Sequence, residues 1–128
     1  MPKSIDELLE EARARLERVT PEQAAAAARG GDAVIVDIRA DSQIAEDGSV
    51  PDTARIPRNV LEWRLDPACE HRDPELASYE RRVIVMCNEG YQSSLAAATL
   101  KDLGIENATD MIGGFQAWVD AGLPHRAP

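Results

Sequence analysis

The chain has 128 residues, 44% hydrophobic, 29% charged and only 4% aromatic, enough for one domain whose core is mostly Val, Ile, Leu and Ala. With 14 basic and 23 acidic residues it carries a net charge of −9, which excludes the basic footprint of a nucleic-acid binder and an anionic membrane surface as partner. No run approaches the ~20 apolar residues of a membrane span, Met1 to Ser4 open an acidic amphipathic segment rather than a secretory leader, and the two cysteines, Cys69 and Cys87, are too few for a disulfide scaffold. These features predict a cytoplasmic protein with reduced thiols.

Ile5, Leu8, Leu9, Ala12, Leu16 and Val19 recur at helical spacing between charged residues, which predicts an amphipathic helix from about Ser4 to Arg18 that covers the sheet, with a dimer contact as the alternative. Ser4 with Glu7 reads as a capping box. Thr20-Pro21-Glu22-Gln23 reads as a second one, opening a short Ala-rich helix that Gly30-Gly31 ends. Ala33 to Ile38 is a continuous apolar run interrupted only by Asp37, as expected of a strand buried on both faces. Arg39 to Asp52 is polar and reads as a long connection. Arg55-Ile56-Pro57 suits a short strand, Arg58 to Leu65 a helical turn, and Pro67 to Tyr79 a surface loop. Val83 to Met86 is the second buried strand. A loop from Cys87 to Gln92 leads to a helix over Ser93 to Leu103. Ala108 to Ile112 is a third strand, and Gly113-Gly114 precedes a last helix, Phe115 to Ala121. Strands alternating with helices imply an α/β fold with a parallel sheet.

In such a sheet ligands bind beyond the carboxyl ends of the strands. Asp37 with Arg39, Cys87 with its loop, and Asp110 with Gly113-Gly114 all fall there. The Cys87 loop carries the most chemistry. A thiol attacks as thiolate, which forms best beside a helix N-terminus or a cation. A six-residue turn ahead of a helix can fold its amides around one point. Gly90 supplies backbone freedom, and Ser93 or Ser94 can cap the helix and donate a hydroxyl to the sulfur. A buried structural cysteine is the competing reading. Cys69 with His71 is two ligands without a second pair, so no metal is expected.

Four segments together resemble the single-domain rhodanese-like sulfurtransferases, from about Val19 to Trp118. Val34-Ile35-Val36-Asp37-Ile38-Arg39 looks like the family's strand ending in Asp-x-Arg. Gly48 to Ala54, followed by Ile56-Pro57, resembles its Gly-His-Ile-Pro-Gly-Ala turn. Cys87-Asn88-Glu89-Gly90-Tyr91-Gln92-Ser93 resembles its Cys-x-x-Gly-x-Arg-Ser loop, and Gly113 to Trp118 matches its Gly-Gly-x-x-Ala-Trp signature. The resemblance implies a three-layer sandwich with a mostly parallel sheet of about five strands flanked by helices. Residues 1–18 would form an N-terminal helical extension, 19–124 the domain and 125–128 a tail. It also implies a mechanism: Cys87 takes a sulfane sulfur as a persulfide, and Asn88, Glu89, Gly90, Tyr91, Gln92 and Ser93 cradle it. Asp37 and Arg39 would brace the loop or form a structural pair, and no cofactor is required.

The implied partners are a small-molecule sulfur donor, such as thiosulfate or a low-molecular-weight persulfide, and a thiol or cyanide-like acceptor. A protein acceptor, and monomer or homodimer, stay open. The chain departs from the pattern at Gln92, where the loop Arg is common, at Glu89, an added acid, and at Ser49, in place of His. Less positive charge beside Cys87 disfavours dianionic thiosulfate. Arg58 and Arg64 are candidate cations from another loop. Cysteine phosphatases of related architecture place an Arg at the position of Ser93. Without it phosphoryl transfer is disfavoured. The alternative to the enzyme is a rhodanese-like module that binds or senses without turnover.

Overall fold

The computed structural model describes residues Met1–Pro128. Its sheet has four strands: β1 (Val34–Asp37), β2 (Ala54–Arg55), β3 (Val83–Met86) and β4 (Thr109–Asp110). They lie in the order β2-β1-β3-β4, and every pairing is parallel. The helices are α1 (Ile5–Ala14), α2 (Pro21–Arg29), α3 (Asp41–Asp47), α4 (Leu61–Leu65), α5 (Gln92–Asp102) and α6 (Gly114–Asp120), with a 3-10 turn at Arg58–Val60 before α4.

Side chains of successive strand residues point to opposite faces, and both faces here are covered. Val36, Val83 and Val85 pack with Leu61, Leu65, Ala96, Ala97 and Leu100 of α4 and α5. Ile35, Ile84 and Met86 pack with Ala24, Phe115 and Trp118 of α2 and α6. The result is a three-layer α/β sandwich, and the alternation that sends Val83 and Val85 toward α5 sends Cys87 the same way.

The sheet has four strands, not five. Val19 forms only an isolated parallel bridge with Met111, through Val19 N to Asp110 O at 3.1 Å and Ile112 N to Val19 O at 2.8 Å. Pairing stops there because Thr20 already caps α2 and Pro21 has no N–H to donate. Likewise β4 covers only part of Ala108 to Ile112, because the backbone turns at Gly113, where φ is 74°.

Both capping boxes are present, Ser4 with Glu7 and Thr20 with Gln23. α1 ends at Ala14, short of Arg18. Glu17 is drawn out of helical geometry to accept the Thr109 hydroxyl at 2.9 Å, and Val19 pairs at the sheet edge. The connection after β1 contains α3, whose only buried residue is Ile44. Two adjacent apolar residues in seven, Ile44 and Ala45, give no helical period to read. α1 packs mainly on α5 rather than on the sheet, with Ala12 buried and Arg15 paired to Asp102 at 2.6 Å. At the other end Ser49 and Arg126 exchange backbone hydrogen bonds of 3.0 and 2.7 Å, which ties the last residues to the domain. No helix is long and apolar enough to cross a membrane.

Candidate active site

β3 delivers Cys87 to the carboxyl edge of the sheet, where it is 2% exposed. The Gly90 N–H donates to Cys87 Sγ at 3.1 Å. Around it the backbone N–H groups of Asn88, Glu89, Tyr91, Gln92 and Ser93 donate to no other group of the chain. They belong to the turn and to the first positions of α5, where helical N–H groups have no intrahelical acceptor. The N-terminal end of a helix also carries partial positive charge. A buried thiol thus belongs to a loop whose backbone donors are largely uncommitted.

The turn requires its glycines. Gly90 has φ of 86°, and a Cβ there would lie 2.6 Å from Gly113 N. Gly114 has φ of 60°, and a Cβ there would press on Cys87 O and come within 2.8 Å of Asn88 C. Without side chains at 113 and 114, the start of α6 reaches the loop. Phe115 N donates to Cys87 O at 2.8 Å, and Gln116 N donates to Asn88 O at 3.1 Å. Gln116 Nε2 meets Asn88 Oδ1 at 3.1 Å. The Gly-Gly-x-x-Ala-Trp segment and the cysteine loop are therefore two halves of one packed unit.

The remaining loop residues take different places. Glu89, Tyr91 and Gln92 are exposed and Asn88 is half-buried. They line an open cleft of about 330 Å³ together with Cys87 and Gln43, which comes from α3. α5 starts at Gln92 without a side-chain cap, so the serines lie inside its first turn. Their hydroxyls do not go to the sulfur: Ser93 Oγ and Ser94 Oγ donate to Asp110 Oδ2 at 2.7 and 2.8 Å. A buried carboxylate is a stronger acceptor than a thiol sulfur and needs the bonds more.

Asp37 sits opposite Met86 in the β1–β3 register and forms a buried pair with Arg39, at 3.0 and 2.8 Å. Arg39 also donates to Gly48 O at 2.9 Å and stacks 4.0 Å from the Phe115 ring centroid. Its Nη1 alone has no hydrogen-bond partner. The pair reaches the cysteine loop through Phe115. Arg58 and Arg64 bring no charge to Cys87. Arg58 binds Glu62 at 2.8 Å, and Arg64 binds His71 O at 2.7 Å. Cys69 lines a separate cleft with Trp63 and Leu103. No three His, Cys, Asp or Glu side chains converge on a point that would hold a metal ion.

Two residues packed against the loop, Arg13 and Arg18, were not singled out in the sequence, and Asp110 was placed at the ligand-binding edge of the sheet but given no partner. Arg18 binds both oxygens of Asp110, at 2.9 and 3.2 Å. Arg13 Nη2 and Arg18 Nη2 donate to Gly90 O at 2.8 and 3.0 Å. Arg13 and Arg18 read as the charged face of an amphipathic helix. Asp110 stood at a strand end, with no partner evident in its neighbours.

A buried thiol that accepts one loop amide, in a turn whose other amides are uncommitted at a helix start, is the most chemically distinctive feature of this α/β scaffold. Residues 20–121 match the Rhodanese-like domain family, and the chain belongs to it. A sulfurtransferase of Allochromatium vinosum is 32% identical over 97 residues, 76% of this chain and 81% of that protein. The thiosulfate sulfurtransferase GlpE of Haemophilus influenzae is 35% identical over 106 residues, 83% of this chain and 90% of its own. A solved structure from Rhodopseudomonas palustris superposes with a TM-score of 0.89 at 34% identity, over 98% of this chain and 96% of that one. It is described as a protein of unknown function and possible tyrosine phosphatase. Coverage that wide takes in α1, which precedes the residues matched by the family.

Proposed function

We propose that the protein is a rhodanese-type sulfurtransferase that carries sulfane sulfur as a persulfide on Cys87. The observation that carries this reading is the Gly90 N–H on Cys87 Sγ at 3.1 Å, in a loop and helix start where five further backbone N–H groups have no partner in the chain. Sulfurtransferase relatives that align over most of their own length support it.

In the first half-reaction the Cys87 thiolate attacks the outer sulfur of the donor. A new S–S bond forms on Cys87, the donor's own bond to that sulfur breaks, and its electron pair leaves with the donor remnant: sulfite from thiosulfate, a thiolate from a persulfide, the enolate of pyruvate from mercaptopyruvate. The loop amides hold the outer, anionic sulfur of the Cys87 persulfide. In the second half-reaction an acceptor nucleophile attacks that sulfur and the Cys87 thiolate departs. The oxidation state of the transferred sulfur is carried through, so no external oxidant or reductant is needed. Glu89 at the mouth and the absence of any Arg or Lys between Cys87 and Lys101 favour a donor of lower charge than thiosulfate. The open cleft admits a small thiol or the thiol of a protein acceptor.

Phosphoryl transfer fits less well. It needs cations on the transferring oxygens, and the nearby guanidinium groups of Arg13 and Arg18 are spent on Gly90 O, Ser94 and Asp110. Intact-mass measurement after exposure to thiosulfate, glutathione persulfide or mercaptopyruvate tests the proposal. A one-sulfur adduct is expected that reduction removes, that an acceptor thiol discharges, and that Cys87→Ser abolishes. The lack of an adduct with all three donors would favour the non-catalytic binding module instead.

A further inference from the structure

The Cys87 loop is held from behind by residues that precede the family region. Gly90 O accepts from two guanidinium groups at once, Arg13 at 2.8 Å and Arg18 at 3.0 Å. Arg13 Nε also donates to Ser94 Oγ at 3.1 Å, and its guanidinium lies 5.6 Å from the Tyr91 ring centroid. Arg18 is the partner of Asp110, whose side chain is fully buried, and Asp110 in turn accepts from Ser93 and Ser94 at the start of α5. One network thus joins α1, the segment after it, the end of β4 and the first turn of α5, and all of it bears on one carbonyl of the cysteine loop.

The chemistry of that carbonyl gives the network a role. No peptide bond in the chain is cis, so the Tyr91 N–H points opposite to the Gly90 C=O within one peptide plane. Fixing the carbonyl toward α1 fixes the direction of the Tyr91 N–H, which has no acceptor in the chain. Charged donors on a carbonyl also polarise the peptide and strengthen its N–H as a donor. The loop itself carries no cation from Cys87 to Ser93: Glu89 is acidic, and Gln92 is exposed and uncharged.

We infer that Arg13 and Arg18 are positioning residues for the sulfur cradle: through Gly90 O they set and polarise the Tyr91 amide toward sulfur on Cys87, supplying from the N-terminal segment the positive charge that the loop itself lacks. This rests on the reading of Cys87 as the sulfur carrier. The residue to test first is Arg13, because its loss leaves the Arg18–Asp110 pair intact. In the full-length chain, Arg13→Gln is expected to lower kcat for sulfur loading of Cys87 about tenfold, the cost of one charge-assisted hydrogen bond in the transition state. KM for glutathione persulfide should change little. Arg13→Lys, which keeps a cationic donor, should recover most of the loss. The amide resonances of Gly90 and Tyr91 should move in Arg13→Gln and return in Arg13→Lys. Arg18→Met combined with Asp110→Asn removes the second cation without stranding a buried carboxylate, and should show the same kcat defect.

Loading by Arg13→Gln at the wild-type rate, unmoved Gly90 and Tyr91 amides, or failure of Arg13→Lys to recover activity would each overturn the inference. Absence of loading in the wild-type protein would overturn the sulfur-carrier reading instead. The amide resonances need no donor, so they would still decide whether Arg13 sets the loop.

Discussion

Glu89 is the only charged side chain in the loop from Cys87 to Gln92, and it lines the cleft that opens onto the thiol. Its carboxylate faces any donor that approaches, and a dianion feels it twice as strongly as a monoanion. Replacing it with a cation reverses that term. Glu89→Lys is expected to raise kcat/KM for thiosulfate on the order of tenfold at low ionic strength, with the gain shrinking as salt screens the cleft. Steady-state kinetics at two salt concentrations check this, and an unchanged specificity constant would remove Glu89 as the cause of donor choice. The serines at the start of α5 teach a related point. Ser93 and Ser94 read as caps or sulfur ligands because a hydroxyl at a helix start commonly caps. Both are instead held by Asp110, 17 and 16 residues further along the chain.

Among the elements, the start of α6 decides how the loop is shaped. Gly114 lets the helix approach until its amides bind Cys87 O and Asn88 O, and any side chain there would collide with that backbone. Gly114→Ala combines a left-handed φ of 60° with this clash. It is expected to cost about 2 kcal/mol of stability and to lower sulfur loading of Cys87 as the loop is pushed outward. Denaturant unfolding and intact-mass loading, measured side by side, check both parts. The two-glycine pattern was visible in the sequence, but its partner was not. It packs on a loop more than twenty residues earlier rather than serving its own turn alone.

Across the whole molecule, the Asp37–Arg39 pair joins the layers. Arg39 links the end of β1 to Gly48 after α3 and to Phe115 of α6, with both charged side chains out of contact with solvent. Removing one partner leaves an uncompensated buried charge, so Asp37→Ala is expected to cost about 3–5 kcal/mol, read as a drop in the denaturant midpoint. The large penalty follows from isolating Arg39. It does not measure what the pair contributes when intact, since two buried charges recover by pairing only what desolvation took from each.

By itself the sequence determined the features encoded within a few residues. Val83 to Met86 had to be a buried strand because four consecutive apolar residues suit a parallel sheet covered on both faces. Ser4 with Glu7 and Thr20 with Gln23 had to open helices because each cap satisfies its orphan amides three residues away. The Cys-x-x-Gly turn between a strand and a helix was legible for the same local reason, and the structure has it there. Tertiary structure decided what reaches that loop from afar. Arg13 and Gly90 are 77 residues apart, and Arg18 and Asp110 are 92 apart. No spacing rule links such residues, because their meeting depends on α1 lying against α5 and on Val19 pairing at the sheet edge. Local patterns state where the cysteine loop stands. Only the packed fold brings to its Gly90 carbonyl the two guanidinium groups that the loop itself does not carry.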